Sequence, residues 1–272
     1  YPVSAMVSLP PVPRNLTRLR EKIDERLLQQ PDLLNATAPS ERGYAFAKLR
    51  TGPRLETSAA IVDDPDVSWF DRPEELAAEL TAVAESARHS VLVVSPYLVL
   101  SPALLEIAQS LIARGVKITV LTNSLASNDV VIAHAAYARY RQQLLENGIE
   151  LYEFRHDAAF GRVPDAKYSS LHSKYILFDE DLVFVGSMNL DPRSLYLNTE
   201  LGVVLTSPGL AEELKQTFAT MIEPENAWRV TSDEDGLRWT SAAGVLDRDP
   251  ARGEWQRVRS AMLSLLPLSS QM

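Results

Sequence analysis

The chain has 272 residues, 46% hydrophobic and 23% charged, with a formal net charge of −9 and no cysteine. That length can bury an ample core in one large domain, or one domain with an extension. The missing cysteines exclude disulfides and zinc–thiolate sites, the acidic balance argues against a nonspecific nucleic-acid binder, and no apolar run reaches the roughly 20 residues of a membrane span, so lipid contact would be peripheral.

Residues 1–14 are proline-rich and read as extended. Leu16, Leu19, Ile23, Leu27 and Leu28 keep helical spacing until Pro31, and residues 31–54, with prolines and Gly52, make a connection. Residues 1–54 are therefore expected to form an N-terminal helix and linker ahead of a domain over 55–272. A strand at 58–62 leads into Asp63-Asp64-Pro65, where the proline favours a turn over a metal-binding carboxylate pair. Asp71 and Glu74 have capping-box spacing, and Leu76, Leu80, Val83 and Ala87 form the stripe of the next helix.

Residues 91–95 read as a buried strand. Ser101 caps a helix with Pro102 in its first turn; Leu104, Leu105, Ala108, Leu111 and Ile112 face inward, and Gly115 ends it. A strand over 116–121, a polar loop over 122–129, a third helix to Asn147 and a strand over 149–154 continue the order. Buried strands alternating with helices predict an α/β fold with a mixed, largely parallel sheet and helices on both faces. The loops after Val94 and Leu121 would then lie at the carboxyl ends of strands, where open α/β sheets bind ligands. His134, among alanines, reads as a packed or surface residue. The sixteen-residue loop 155–170 is long enough for a lid, and its Arg155, Arg162 and Lys167 read as solvated charges that could also meet an anionic headgroup.

Next comes His172-Ser173-Lys174-Tyr175-Ile176-Leu177-Phe178-Asp179, followed by Gly186-Ser187-Met188-Asn189. Alternation puts His172 and Lys174 on one strand face and Asp179 on the other. The run Asp179-Glu180-Asp181 predicts a hairpin turn, and the returning strand ends at a loop whose Gly186 would let backbone approach a ligand. An imidazole, with an unperturbed pKa of roughly 6.5, can attack phosphorus or protonate a leaving oxygen. An ammonium and an amide can hold phosphoryl oxygens as charge builds on them. This is phosphoryl-transfer chemistry without a metal or cofactor. Beyond it, 200–206 reads as a strand and Ser207-Pro208 as the start of a helix burying Leu210, Leu214, Phe218 and Met221 or Ile222. Residues 228–230 and 237–239 make a hairpin about Gly236, and a last helix carries Trp255, Val258, Met262 and Leu265. Core packing is the favoured role for Trp228, Trp239 and Trp255, ahead of lining a lipid entrance.

At these residues the chain resembles the phospholipase D superfamily, whose signature is HxKxxxxD followed by GSxN; His172, Lys174 and Asp179 match the first element and Gly186, Ser187 and Asn189 the second. Through Ser95-Pro96-Tyr97 and residues 121–129 it is most similar to bacterial cardiolipin synthases. The resemblance implies a catalytic set of His172, Lys174, Asp179, Asn189 and Glu200, with Glu200 orienting the imidazole, and substrate contacts from Gly186, Ser187 and Tyr97. Asp179 faces away from His172 and is better cast as a brace of the hairpin. The resemblance further implies a phospholipid substrate with a phosphatidylglycerol-type headgroup and peripheral attachment to the cytoplasmic face of a bacterial inner membrane.

Members of that family use two such motifs, one histidine as nucleophile and the other as acid, whereas His89, His134 and His156 have no lysine two residues on. The expectation is a second lobe of a longer enzyme, opening at Tyr1-Pro2-Val3 where a first lobe would end, or a lobe completed by a second copy. The alternatives are a hydrolase or nuclease acting as a dimer, and a lobe that binds phospholipid headgroups without turnover.

Overall fold

Alternation of apolar side chains decides which face each strand presents. In the computed structural model, which describes residues 58–63, 75–162, 166–196, 198 and 200–264, Val91 and Val93 enter one hydrophobic cluster while Leu92 and Val94 pack on the opposite side. The chain divides between Glu56 and Thr57, and every described residue belongs to the second unit. The expected helix at 16–28, its linker and the Asp71/Glu74 capping pair lie outside the described residues.

In chain order the elements are β1 (Ser58–Asp63), α1 (Glu75–Ser86), β2 (Ser90–Val94), α2 (Pro102–Ala113), β3 (Lys117–Asn123), α3 (Val131–Ala138), α4 (Arg141–Glu146) and β4 (Glu150–Phe154). Then follow β5 (Tyr175–Phe178), β6 (Leu182–Gly186), α5 (Pro192–Tyr196), β7 (Leu201–Thr206), α6 (Pro208–Met221), β8 (Ala227–Asp233), β9 (Gly236–Ser241), β10 (Gly244–Leu246) and α7 (Glu254–Ser264). Helix α2 starts as its sequence dictates, with Ser101 Oγ accepting from Leu104 N at 3.3 Å and Pro102 at its first position. The single helix expected before β4 is instead two, interrupted at Arg139-Tyr140.

The described strands form one sheet in the order β1-β7-β6-β5-β2-β3-β4-β8-β9-β10. Helices cover both faces: α1, α2 and α4 lie over one, and α6, through Leu214, Phe218 and Met221, over the other. The α/β architecture is as expected, but "largely parallel" is not. Parallel pairing is confined to β2–β3 and β3–β4, and the other neighbours run antiparallel. The cause is the connection after β4. A helical crossover would return the chain to the opposite end of the sheet, whereas the loop over 155–174 stays at the end where β4 finishes, so β5 must enter from there, antiparallel to β2.

This reversal gathers the carboxyl ends of β2 and β3, the start of β5, the end of β6 and the start of β7 at one edge of the sheet. The register fixes it: Val94 opposes Leu121 and Tyr175, Tyr175 opposes Val185, and Gly186 opposes Gly202. Gly186 is demanded by protein rather than ligand, because a Cβ there would lie 2.6 Å from Leu201 O and 2.9 Å from the Phe184 ring.

Away from that edge, charge is buried. Arg141 Nε lies 2.9 Å from Glu153 Oε1, and the same carboxylate accepts from Tyr137 Oη and Trp239 Nε1, each at 2.9 Å. Arg141 Nη2 reaches Asp249 Oδ1 at 2.8 Å and His134 Nε2 at 3.2 Å, and its guanidinium stacks over the Tyr137 and Trp239 rings. His134 is thus a packed core residue. Burial would lower the Arg141 pKa, but Glu153, Tyr137 and Asp249 hold it above its ordinary value. Burial raises the Asp249 carboxyl less than its bonds to His134 and Arg141 lower it, so it stays well below the carboxylate range.

Candidate active site

Each loop at the crowded edge is tied down by a side chain from a strand other than its own. Asn123, at the end of β3, is buried and clamps Leu171 from both sides: its Oδ1 accepts from Leu171 N and its Nδ2 donates to Leu171 O, both at 2.9 Å. The residue before His172 is therefore fixed by an amide distant in sequence. Ser95, just past β2, donates to Tyr97 O at 2.7 Å and accepts from Leu190 N at 3.2 Å, joining the Tyr97 loop to the one that carries Asn189. Sequence reading placed Ser95 and Asn123 in resembling segments and gave neither a role. Buried polar residues at consecutive carboxyl ends were the available signal.

His172 and Lys174 lie in the extended lead-in just ahead of β5, not inside a paired strand as expected. His172 is exposed and borders an open hollow of about 370 Å³ with Phe154, Phe160, Leu171 and Met221. Among the described residues its side chain has no hydrogen bond or ion pair. Lys174 is half-buried, and its Nζ donates to His172 O at 2.9 Å. Burial pushes its pKa down, more than the carboxylates of Glu200, Asp129 and Asp191 pull it up. A partly desolvated ammonium held by a carbonyl keeps donors free for an incoming anion.

Ser187 is locked to β7: its N donates to Leu201 O at 2.9 Å, Leu201 N donates to its Oγ at 3.0 Å, and that hydroxyl donates to Glu200 Oε2 at 2.5 Å. Glu200 is buried and accepts from Asn198 Nδ2 at 3.0 Å on its other oxygen. The expected bond from Glu200 to His172 is thus replaced by bonds to Ser187 and Asn198, and the Glu200 charge pulls the Lys174 pKa up. Asn189 Nδ2 lies 3.4 Å from Ser194 Oγ, and its buried Oδ1 has no partner among the described residues. Asp191 accepts from Ser194 N at 2.8 Å; burial raises its pKa, opposed in part by the backbone N–H groups of Ser194 and Arg193. Tyr97 donates to Asp129 Oδ1 at 2.7 Å, and burial together with that bond raises its own pKa, so it stays a neutral donor.

Two residues separate from the group. Asp179 sits past the far end of β5, at φ 53°, where its carboxylate accepts from Arg88 N, His89 N and Ser90 N at 3.0, 2.7 and 3.0 Å. Burial raises its pKa, but those three N–H groups win and hold it low. Among the described residues Asp179 thus has backbone partners at the end of β5 opposite His172, and it braces the hairpin against the start of β2. Arg155, expected as a solvated or headgroup-binding charge, is buried against Asp157 (2.9 and 2.8 Å), Pro224 O and the Trp228 ring. Among the described residues no cluster of acidic or histidine side chains could hold a metal ion.

A family model described as "Cardiolipin synthase, PLD-like domain" matches residues 80–222, just over half of the chain. Cardiolipin synthase C of Escherichia coli K12 is 36% identical over 209 residues, covering 71% of this chain and 43% of its own length. Cardiolipin synthase A of Serratia proteamaculans is 34% identical over 193 residues, covering 70% and 33%. The chain therefore spans less than half the length of these relatives. Among solved structures, a phospholipase D family member, Nuc from Salmonella typhimurium, is similar at 18% identity and a TM-score of 0.48, over 64% of this chain and 99% of that one. With the family model covering more than half of its residues, the chain belongs to the phospholipase D-like domain family of the cardiolipin synthases.

Proposed function

We propose that this chain supplies one half of a phosphatidyltransferase site that exchanges phosphodiesters on phospholipids, with cardiolipin formation from a phosphatidylglycerol-type donor as its leading reaction. The observation that carries the reading is the contrast between His172, exposed and unbonded, and the tightly bonded loops around it, with the Lys174 ammonium half-desolvated beside it. The half-site status rests on composition, since of four histidines only His172 has a lysine two residues on.

In this reading one imidazole attacks phosphorus, forming an N–P bond as the P–O bond to the departing alcohol breaks, while the second imidazolium gives that oxygen its proton. An acceptor alcohol then attacks the phosphohistidine, returns a proton to the second imidazole and releases the first. His172 is cast as the proton donor, with the nucleophile coming from a second motif in another lobe or copy. Lys174 and the Asn189 amide stabilise the oxygens that gain charge, and loss of one such donor costs about 3 kcal/mol of transition-state stabilisation. In this reading the work is done at the cytoplasmic face of a bacterial membrane with peripheral attachment, as the family resemblance implies; among the described residues no helix is long and apolar enough to cross a bilayer.

The test combines this chain with a partner half bearing the second motif and supplies labelled phosphatidylglycerol. Diphosphatidylglycerol with release of glycerol is expected. Phosphatidic acid alone would make the enzyme a hydrolase, and headgroup binding without either product would make it a non-catalytic lobe.

A further inference from the structure

Helix α7 packs on α3 with its polar side inward. Ser260 is buried, Gln256 Nε2 donates to Leu125 O at 2.6 Å, and Arg257 Nε donates to Asp249 O at 2.8 Å. Its outer face is the apolar one: Trp255 is 85% exposed, Met262 66% and Val258 47%. At 100° per residue these three and Arg259 fall within an arc of roughly 100°, as narrow a stripe as most helices turn toward a core. The expectation that Trp255 packs inside is overturned, while Trp228 and Trp239 do so.

Ahead of α7 the cations gather on Tyr168, next in sequence to residues 169–173 that line the His172 hollow. Arg252 N donates to the Gln256 side chain at 2.8 Å, and the Arg252 guanidinium lies 4.7 Å from the centroid of the Tyr168 ring, against which Lys167 Nζ also rests at 5.3 Å. Tyr168 is itself exposed and precedes His172 by four residues. Charge follows the same line. On this face Arg252, Arg259 and Lys167 are exposed cations, and the outward arc of the helix carries no acid. Apolar residues with tryptophan and tyrosine among cations suit the boundary between headgroups and acyl chains of an anionic membrane.

We propose that the outer face of α7, extended by Arg252, Tyr168 and Lys167, docks on a bilayer containing anionic phospholipid and so presents the His172 rim to the lipid surface. The proposal rests on the phospholipid reading of the site, but its test needs no turnover. Purified chain is floated with phosphatidylcholine vesicles that contain or lack phosphatidylglycerol. Wild type is expected to bind the mixed vesicles, more weakly as salt rises. Trp255→Asp with Met262→Asp should lower the bound fraction about tenfold or more, and Arg259→Glu should lower it on anionic vesicles while leaving neutral ones unaffected. Should the double variant fail to fold, brominated acyl chains must quench wild-type fluorescence more than that of Trp255→Phe. Equal binding by wild type and double variant, or no wild-type binding to any vesicle, would overturn the proposal. So would a wild-type oligomer that the double variant converts to monomer, because the stripe would then be a protein contact. Failure of lipid transfer with binding intact would reject the enzymatic reading and leave the docking face standing.

Discussion

Two regions of this sheet concentrate ionisable groups, and they handle them in opposite ways. Around Glu153 each charge meets an opposite one: Arg141 bridges Glu153 and Asp249, with Tyr137 and Trp239 completing the carboxylate. At the other region the backbone is as firmly tied, through Asn123, Ser95 and Ser187, yet groups with chemical capacity are left open: His172 exposed and unbonded among the described residues, and Lys174 held by a carbonyl. Buried charges matched to opposite ones hold a fold together, whereas an exposed imidazole and a half-buried ammonium on a rigid frame are what a ligand can use.

Substitutions can break that contrast. The largest effect is expected for His172→Ala, measured with the second motif present: transfer should fall on the order of 10⁴-fold, about 5.5 kcal/mol, with an unchanged urea midpoint. Glu153→Ala should do the reverse, costing about 3–5 kcal/mol of stability because buried Arg141 keeps, among the described residues, only the Asp249 carboxylate and the Tyr137 and Trp239 donors lose their acceptor; a chemical denaturation curve reads it. If His172→Ala destabilised the fold as much as Glu153→Ala does, the division between the regions would be lost.

Asn123→Ala sharpens the comparison, since it belongs to the frame yet acts on the chemistry. It should cost about 1–3 kcal/mol of stability and lower transfer roughly tenfold to a hundredfold through misplacement of His172, with vesicle binding unaffected. The smallest effect is the pH dependence of Asp179. Its folded-state pKa lies below that of the unfolded chain, so its contribution is fully present above the unfolded value of about 3.9 and is lost as pH falls through the folded one. The stability gap between wild type and Asp179→Ala, about 1–2 kcal/mol at neutral pH, should close progressively below about pH 4 in acid titrations.

Much of this was legible in residue order. Apolar runs marked β2 and β3, the alternating stretch before Asp179 and its return marked β5 and β6, Ser101-Pro102 marked the start of α2, and the spacing from His172 to Asn189 marked the candidate site. The orientation of β5 was not legible, because it depends on which end of the sheet a loop without regular structure stays at. Nor was the outward face of α7: the spacing of Trp255, Val258 and Met262 announces a stripe without saying which way it points. Arg155 was misjudged for a related reason, since its partners Pro224, Trp228 and Ser241 lie some seventy or more residues away. Local pattern sets elements and turns; long-range pairing decides which polar side chain ends up inside.

The grip of Asn123 on Leu171 has a consequence for divergence. Because the backbone is riveted just before His172, the segment between β4 and that rivet can be shortened, lengthened or exchanged without carrying the imidazole along. Under the proposed phospholipid chemistry, substrate preference can therefore be rewritten there by grafting while the imidazole keeps its place.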